Sequence, residues 1–226
     1  MNDLTEEQQV EQLREWWANN GLVVMLGVAV FIAGFFGTRY WRTSQLRHAE
    51  AASAVYEQAG EAAAAADAQT LLARYDTLKR DYADSPYVAQ TGLRLAALHL
   101  NKGELDAAES VLQGALSDTG DTATRSLIAT RLARVQIYAD KPEAGLQTLE
   151  QYPYAAYQSL IDELRGDALV ALARADEALS AYEAAAAAAP DSALVDPMLI
   201  GMKIAKVKST MPVVDVEPEA EAADDS

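Results

Sequence analysis

LRGDALVALARADEALSAYEAAAAAAP, residues 164–190, decides the fold. Gly166 and Ala178 are small residues twelve apart; Tyr182 follows four later, then Ala185, and Pro190 closes the run. Two antiparallel helices approach closely only where small residues meet at their crossing. A large residue one turn further on then fills the space toward the next pair. The spacing therefore predicts a helical hairpin with Gly166 and Ala178 at the crossing. Its turn is expected near Arg174-Ala175-Asp176, and Pro190 cannot continue the second helix.

The same pattern recurs upstream. Ala133, Gly145 and Leu149 repeat the places of Gly166, Ala178 and Tyr182, and Ala96, Ala108 and Leu112 repeat them again. Turns are expected at Asn101-Lys102-Gly103 and at Asp140-Lys141-Pro142, with Pro in the first helical position. A fixed period of 33 to 37 residues is the mark of a solenoid of helical pairs. These units resemble tetratricopeptide repeats. The first departs from that pattern in having His99 and Leu112 where aromatics are usual. The second has Gly145 in place of Ala and no closing Pro. Residues 85–211 thus hold three hairpins and a closing helix over 198–207, which is expected to show a polar outer face. Residues 42–84 read as a helical stem plus a degenerate first hairpin, broken at Ser85-Pro86.

Toward the N-terminus the character changes. Residues 16–38 carry no charge, and 22–36 (LVVMLGVAVFIAGFF) are almost wholly apolar. About 20 such residues cross a bilayer as a helix. Trp16 and Trp17 at one end, with Tyr40 and Trp41 at the other, make the aromatic belts of the two interfaces. Residues 16–41 are therefore expected to be a transmembrane helix, uncleaved because the preceding residues 1–15 are acidic and the following ones bulky. Ala29, Ala33 and Gly37 lie four apart and form a stripe against which another membrane helix could pack. Arg39, Arg42 and Arg47 follow the span while only Arg14 precedes it, so positive charge alone would hold the body in the cytoplasm. The residues leave the orientation open.

The remaining chemistry is sparse. The chain of 226 residues is 50% hydrophobic, 7% aromatic and poor in Gly and Pro, as an all-α protein would be. Its net charge of −16 disfavours nucleic acid as a partner. There is no Cys, and His48 and His99 are the only histidines. No metal spacing, phosphate cradle or nucleophile elbow occurs, so neither enzyme nor cofactor is expected. Acid pairs such as Asp162-Glu163 read as solvated helix faces. Residues 212–226 carry six acids and no base, and their composition is that of a disordered tail. Arg94, Arg131, Arg134 and Arg165 fall on the first helices of successive pairs. There they either line a groove for a carboxylate-bearing segment or pair with neighbouring acids.

Four strings sharpen the reading: RYW at 39–41, SAVYEQA at 53–59, TRLARVQ at 130–136 and LRGDAL at 164–169. With the acidic start, the single span and the Ala-rich stem, they make residues 7–204 resemble the YfgM family of ancillary SecYEG translocon subunits. That resemblance implies a bacterial inner-membrane protein of type II topology with its repeats in the periplasm. It further implies as partners the SecYEG translocon, a PpiD-like periplasmic chaperone and unfolded client chains. The residues also suit a cell-envelope scaffold or a membrane-tethered regulator, and the tail's role stays open.

Overall fold

The computed structural model describes residues 6–188 and 193–210. Pro190 and the tail at 212–226 lie outside the described residues, as does the start of the acidic N-terminal segment. Among the described residues all regular structure is helical. In chain order the helices are α1 (Glu6–Ala64), α2 (Ala68–Asp81), α3 (Tyr87–Asn101), α4 (Leu105–Asp118) and α5 (Thr122–Tyr138). They continue with α6 (Pro142–Gln151), α7 (Gln158–Ala171), α8 (Ala175–Ala188) and α9 (Pro197–Thr210), with a short 3-10 turn at Ala155–Tyr157 before α7.

The chain divides into two compact units, Met1–Ala54 and Val55–Ser226. The first is built on α1, which is long and apolar enough to cross a membrane. Leu22, Met25, Val30, Phe31 and Phe36 are all exposed along it. A soluble core helix would bury such side chains, whereas lipid accepts them. Ala29, Ala33 and Gly37 are exposed on the same helix, and a Cβ on Gly37 would meet nothing within 4 Å.

The second unit is a row of hairpins. α3 packs on α4, α5 on α6 and α7 on α8, and each pair packs on the next. Four turns share one geometry. Ala66, Gly103, Asp140 and Ala173 all adopt a left-handed backbone, with φ of 55°, 76°, 59° and 57°. In each, the next residue's N–H donates to a carbonyl five residues back: Asp67 to Ala62, Glu104 to His99, Lys141 to Gln136 and Arg174 to Leu169. This is the Schellman helix stop, which satisfies carbonyls that a helix end leaves free. It recurs at Ala66, so α1 stops in the same way as α3, α5 and α7. Asp67 also caps α2, accepting from the Thr70 N–H at 3.0 Å, and Asp121 caps α5 through Thr124 at 2.7 Å. The hydrogen bonds from Thr70 and Thr124 hold both carboxyls below the usual range.

The apolar core forms a chain of clusters. Ala96, Ala108, Leu112, Ile128 and Leu132 join α3, α4 and α5. Ala133, Leu149, Ile161 and Leu164 join α5, α6 and α7. Leu169, Ala178, Tyr182, Ala185, Ile200 and Val207 join α7, α8 and α9. Gly145 and Gly166 are buried with them. A Cβ on Gly166 would collide with the Tyr182 ring. One on Gly145 would stand 2.9 Å from Ile137 Cγ1 and 3.2 Å from the Ala133 carbonyl oxygen. That close approach accounts for Gly where the repeat pattern has Ala.

Three expectations need correction. The last turn sits at Leu172–Arg174 rather than at Arg174-Ala175-Asp176, because Ala173 takes the left-handed position. The closing helix does not have a polar outer face: Met198 and Met202 on α9 are 75% and 58% exposed. Asp162 and Glu163 are not solvated but buried, both at 8% exposure. Gln158 donates to Asp162 at 3.0 Å, while Glu163 takes an ion pair from Lys203 of α9 at 2.7 Å.

Candidate partner-binding groove

Within the repeat unit a hollow of about 760 Å³ opens between α3 and α5, floored by Leu93, Ala97, Leu100, Leu112 and Val135. Its rim carries Arg94 from α3 and Arg131 and Arg134 from α5. Arg131 and Arg134 are three apart, so both project from one face of α5. Tyr56 of α1 and Tyr138 at the end of α5 complete the lining, and Tyr138 is 79% exposed.

Arg94 is held in place by its neighbours. Its guanidinium lies 4.2 Å from the centre of the Tyr56 ring, and that ring stacks on Tyr87 at 4.6 Å. A Cβ on Gly60, one turn beyond Tyr56, would stand 2.9 Å from the Arg94 Nη1. The absent side chain thus leaves room for the guanidinium. None of the three arginines is ion-paired to a described carboxylate. The neighbouring cations Lys79 and Lys141 are paired, with Asp118 and Glu109 respectively. The alternative of local pairing is therefore not what Arg94, Arg131 and Arg134 do.

Arg165 goes elsewhere. It lines a smaller hollow of about 360 Å³ together with Glu150, Asp162 and Glu177. Of the four arginines, Arg94, Arg131 and Arg134 share one hollow and Arg165 lines the other. Sequence reasoning missed Tyr56 and Tyr138, which lie outside the repeat pattern used to find the others. No local sequence signal marks either tyrosine: Tyr56 is half-buried and Tyr138 exposed only in the fold.

Chemically, the groove offers an apolar floor and three guanidinium forks of N–H donors, of which Arg94 is held by Tyr56. Guanidinium groups bind carboxylates through two parallel hydrogen bonds, and apolar contact below adds area. Such a surface suits an extended or helical segment bearing acids on one side and apolar groups on the other. His99 sits apart, its Nδ1 2.6 Å from a Glu104 carboxylate oxygen at the α3–α4 turn. Among the described residues no cluster of three potential metal ligands occurs.

The described signature residues Ala96, Ala108, Leu112, Ala133, Gly145, Leu149, Gly166, Ala178, Tyr182 and Ala185 are all buried. They build the scaffold and do not face the groove's opening, apart from the floor contributed by Ala96 and Leu112.

Comparison with known proteins agrees with this architecture. The family model of the tetratricopeptide repeat-like domain matches residues 14–209. An Escherichia coli protein named ancillary SecYEG translocon subunit is 32% identical over 79% of this chain and 86% of its own length. A Haemophilus influenzae protein of the same name is 29% identical over 80% of this chain and 89% of its own. A Neisseria gonorrhoeae protein so named is 27% identical over 91% and 98%. Among solved structures, a MamA RS-1 double mutant superimposes with a TM-score of 0.51 at 14% identity, covering 70% of this chain and 93% of that one. That likeness concerns the fold. These relatives form a family of interaction proteins rather than enzymes. With its tetratricopeptide repeat-like domain matched along nearly its whole length, the chain belongs to the family of the ancillary SecYEG translocon subunits.

Proposed function

We propose that this protein is an inner-membrane subunit associated with the SecYEG translocon, whose repeats pass emerging, unfolded chains to a PpiD-like periplasmic chaperone. The observation that carries the reading is the arginine-rimmed apolar groove on a chain of this family. The stripe Ala29, Ala33 and Gly37 is the face that lies against a partner helix in the membrane. A tethered binder meets its partners at high effective concentration, so modest groove affinity suffices.

The test is co-purification after mild detergent extraction. The wild-type chain is expected to retain translocon subunits and the chaperone. Replacing Arg94, Arg131 and Arg134 by Ala is expected to release the chaperone while the span keeps the translocon. Loss of neither would sink the groove's role.

The orientation proposed is type II, with the repeats in the periplasm. Arg39, Arg42 and Arg47 favour a second reading, a tethered cytoplasmic regulator. The chain has no Cys, so Gly120→Cys on the exposed α4–α5 loop is a clean reporter. A membrane-impermeant thiol reagent should label it in intact cells; labelling only after lysis would establish the cytoplasmic reading.

A further inference from the structure

We infer that the chain's own acidic tail is a competing occupant of the arginine groove, so that the groove is self-blocked until a partner displaces it. This rests on the proposed use of the groove for partner binding.

Three observations lead there. First, Arg94, Arg131 and Arg134 border an apolar hollow and have no described carboxylate partner. Second, the tail supplies what the hollow lacks. VVDVEPEAEAADDS, residues 213–226, has six acids and no base. Asp215, Glu217, Glu219 and Glu221 alternate with Val, Pro and Ala, so an extended backbone would turn acids to one side and apolar groups to the other. One side matches the guanidinium rim and the other the floor.

Third, the reach is sufficient. α9 ends at Thr210, and α9 meets α7 through Lys203, while α7 packs on α5, which lines the groove. Two helix-to-helix steps of about 8–10 Å each make about 20 Å across the row. Sixteen residues follow Thr210 and span at most about 50 Å when extended. The distal acids Glu219, Glu221, Asp224 and Asp225 therefore reach Arg131 and Arg134 with chain to spare.

A tail attached to the same molecule faces its site at an effective concentration on the order of millimolar. Weak contacts then suffice to keep the groove filled, and a partner of higher affinity still displaces the tail. The experiment uses the detergent-solubilised full chain and a variant ending at Met211. Binding of a fluorescent peptide, VVDVEPEAEAADDS, is followed by anisotropy at low salt. The truncated chain should bind the peptide at least tenfold more tightly than the full chain. Arg131→Ala with Arg134→Ala should abolish that binding in the truncated chain, with its circular dichroism unchanged. Neutralising the six tail acids to Asn and Gln in the full chain should restore binding without shortening it.

Equal binding by full and truncated chains overturns the proposal, as does binding that survives loss of both arginines. If the full chain's weaker binding recovers on dilution, a second copy supplies the tail, and the intramolecular assignment falls. The co-purification assay separates the two claims. If the arginine variants lose the chaperone but the truncated chain ignores the peptide, the groove's function stands and self-occupancy fails.

Discussion

At the scale of single residues, two kinds of position carry opposite predictions. Gly166 is there because the Tyr182 ring occupies the space a Cβ would need, so Gly166→Ala forces the ring off its site. Overpacking of this kind costs about 1–3 kcal/mol. Gly145→Ala should cost less, since a Cβ there would stand 2.9 Å from Ile137 Cγ1 and 3.2 Å from the Ala133 carbonyl oxygen, a milder overlap than that with the Tyr182 ring. Chemical melts of the two variants should rank them in that order; a neutral Gly166→Ala would mean that the crossing is looser than its contacts indicate. Ala66 and Ala173 are the converse case. Each holds a left-handed backbone that strains an L side chain by about 1–2 kcal/mol, offset in part by the greater freedom glycine loses on folding. Ala173→Gly and Ala66→Gly should therefore raise the melting midpoint, together by a few degrees. Gly103 already has the favoured residue at the equivalent place.

These residues also explain what was legible. The packing glycines and alanines repeat at fixed spacing because every hairpin repeats the same crossing, so their pattern is visible without coordinates. The left-handed alanines are not visible, since Ala is the strongest helix former and its local preference points the wrong way. Glu163 misled for another reason. Its partner Lys203 lies forty residues on, and nothing local to Asp162-Glu163 distinguishes a solvated pair from a buried one. The three groove arginines were legible through their place on the first helices of the pairs, whereas Tyr56 lies outside the three repeats that align.

At the scale of elements, α9 is the most informative. It is fastened by apolar contacts of Ile200 and Val207 and by Lys203, whose Nζ lies 2.7 Å from Glu163 and 2.6 Å from Asp167. Tyr182 donates to the same Asp167 at 2.7 Å, so one lysine neutralises a carboxylate pair that also positions the core tyrosine. Replacing Lys203 with Met keeps the apolar stem but leaves Glu163 and Asp167 facing each other. Breaking a fully buried pair costs about 3–5 kcal/mol. With the Lys203 side chain 22% exposed, about 2 kcal/mol is expected here. Adding Glu163→Gln and Asp167→Asn should recover most of it, because the repulsion rather than the lost stem is responsible. Failure of that rescue would show that the stem's packing dominates.

The helix contacts set an alkaline limit as well. Burial, followed by the neighbouring Asp118, pushes the Tyr75 phenol above its ordinary range, and burial with the Asp167 hydrogen bond does the same for Tyr182. Both groups prefer to stay neutral in the fold. A raised folded-state value means that stability is fully present below about pH 10, the ordinary tyrosine value, and is lost as pH rises beyond it. Melting midpoints should be level from pH 8 to 9.5 and fall above pH 10. Tyr75→Phe and Tyr182→Phe should flatten that fall. Ionisation of all ten tyrosines without loss of helicity would contradict the assignment.

At the scale of the whole molecule, the second unit is a one-dimensional array. Its core passes from the α3–α4–α5 cluster to α5–α6–α7 and then to α7–α8–α9, each sharing one helix with the next. Stability in such an array is close to a sum of repeat and neighbour terms, so damage should stay near its source. Leu112 is 1% exposed in the first cluster and Ile200 is fully buried in the last. Truncating either to Ala removes about 2–5 kcal/mol by lost transfer energy and the cavity left behind. A single cooperative globule would lower protection everywhere in both variants. The array predicts a polarised result in native-state hydrogen exchange. Leu112→Ala should expose α3, α4 and α5 while α8 and α9 keep their protection; Ile200→Ala should release α9 and α8 and leave α3 and α4 unchanged. The distinction bears on function, because the groove lies wholly within the first cluster's helices and the end of α1. An end helix that frays alone can alter the tail's tether without disturbing the groove that α3 and α5 hold rigid. Uniform deprotection by either substitution would remove that independence, and with it the physical basis for a stable groove beside a loosely held end.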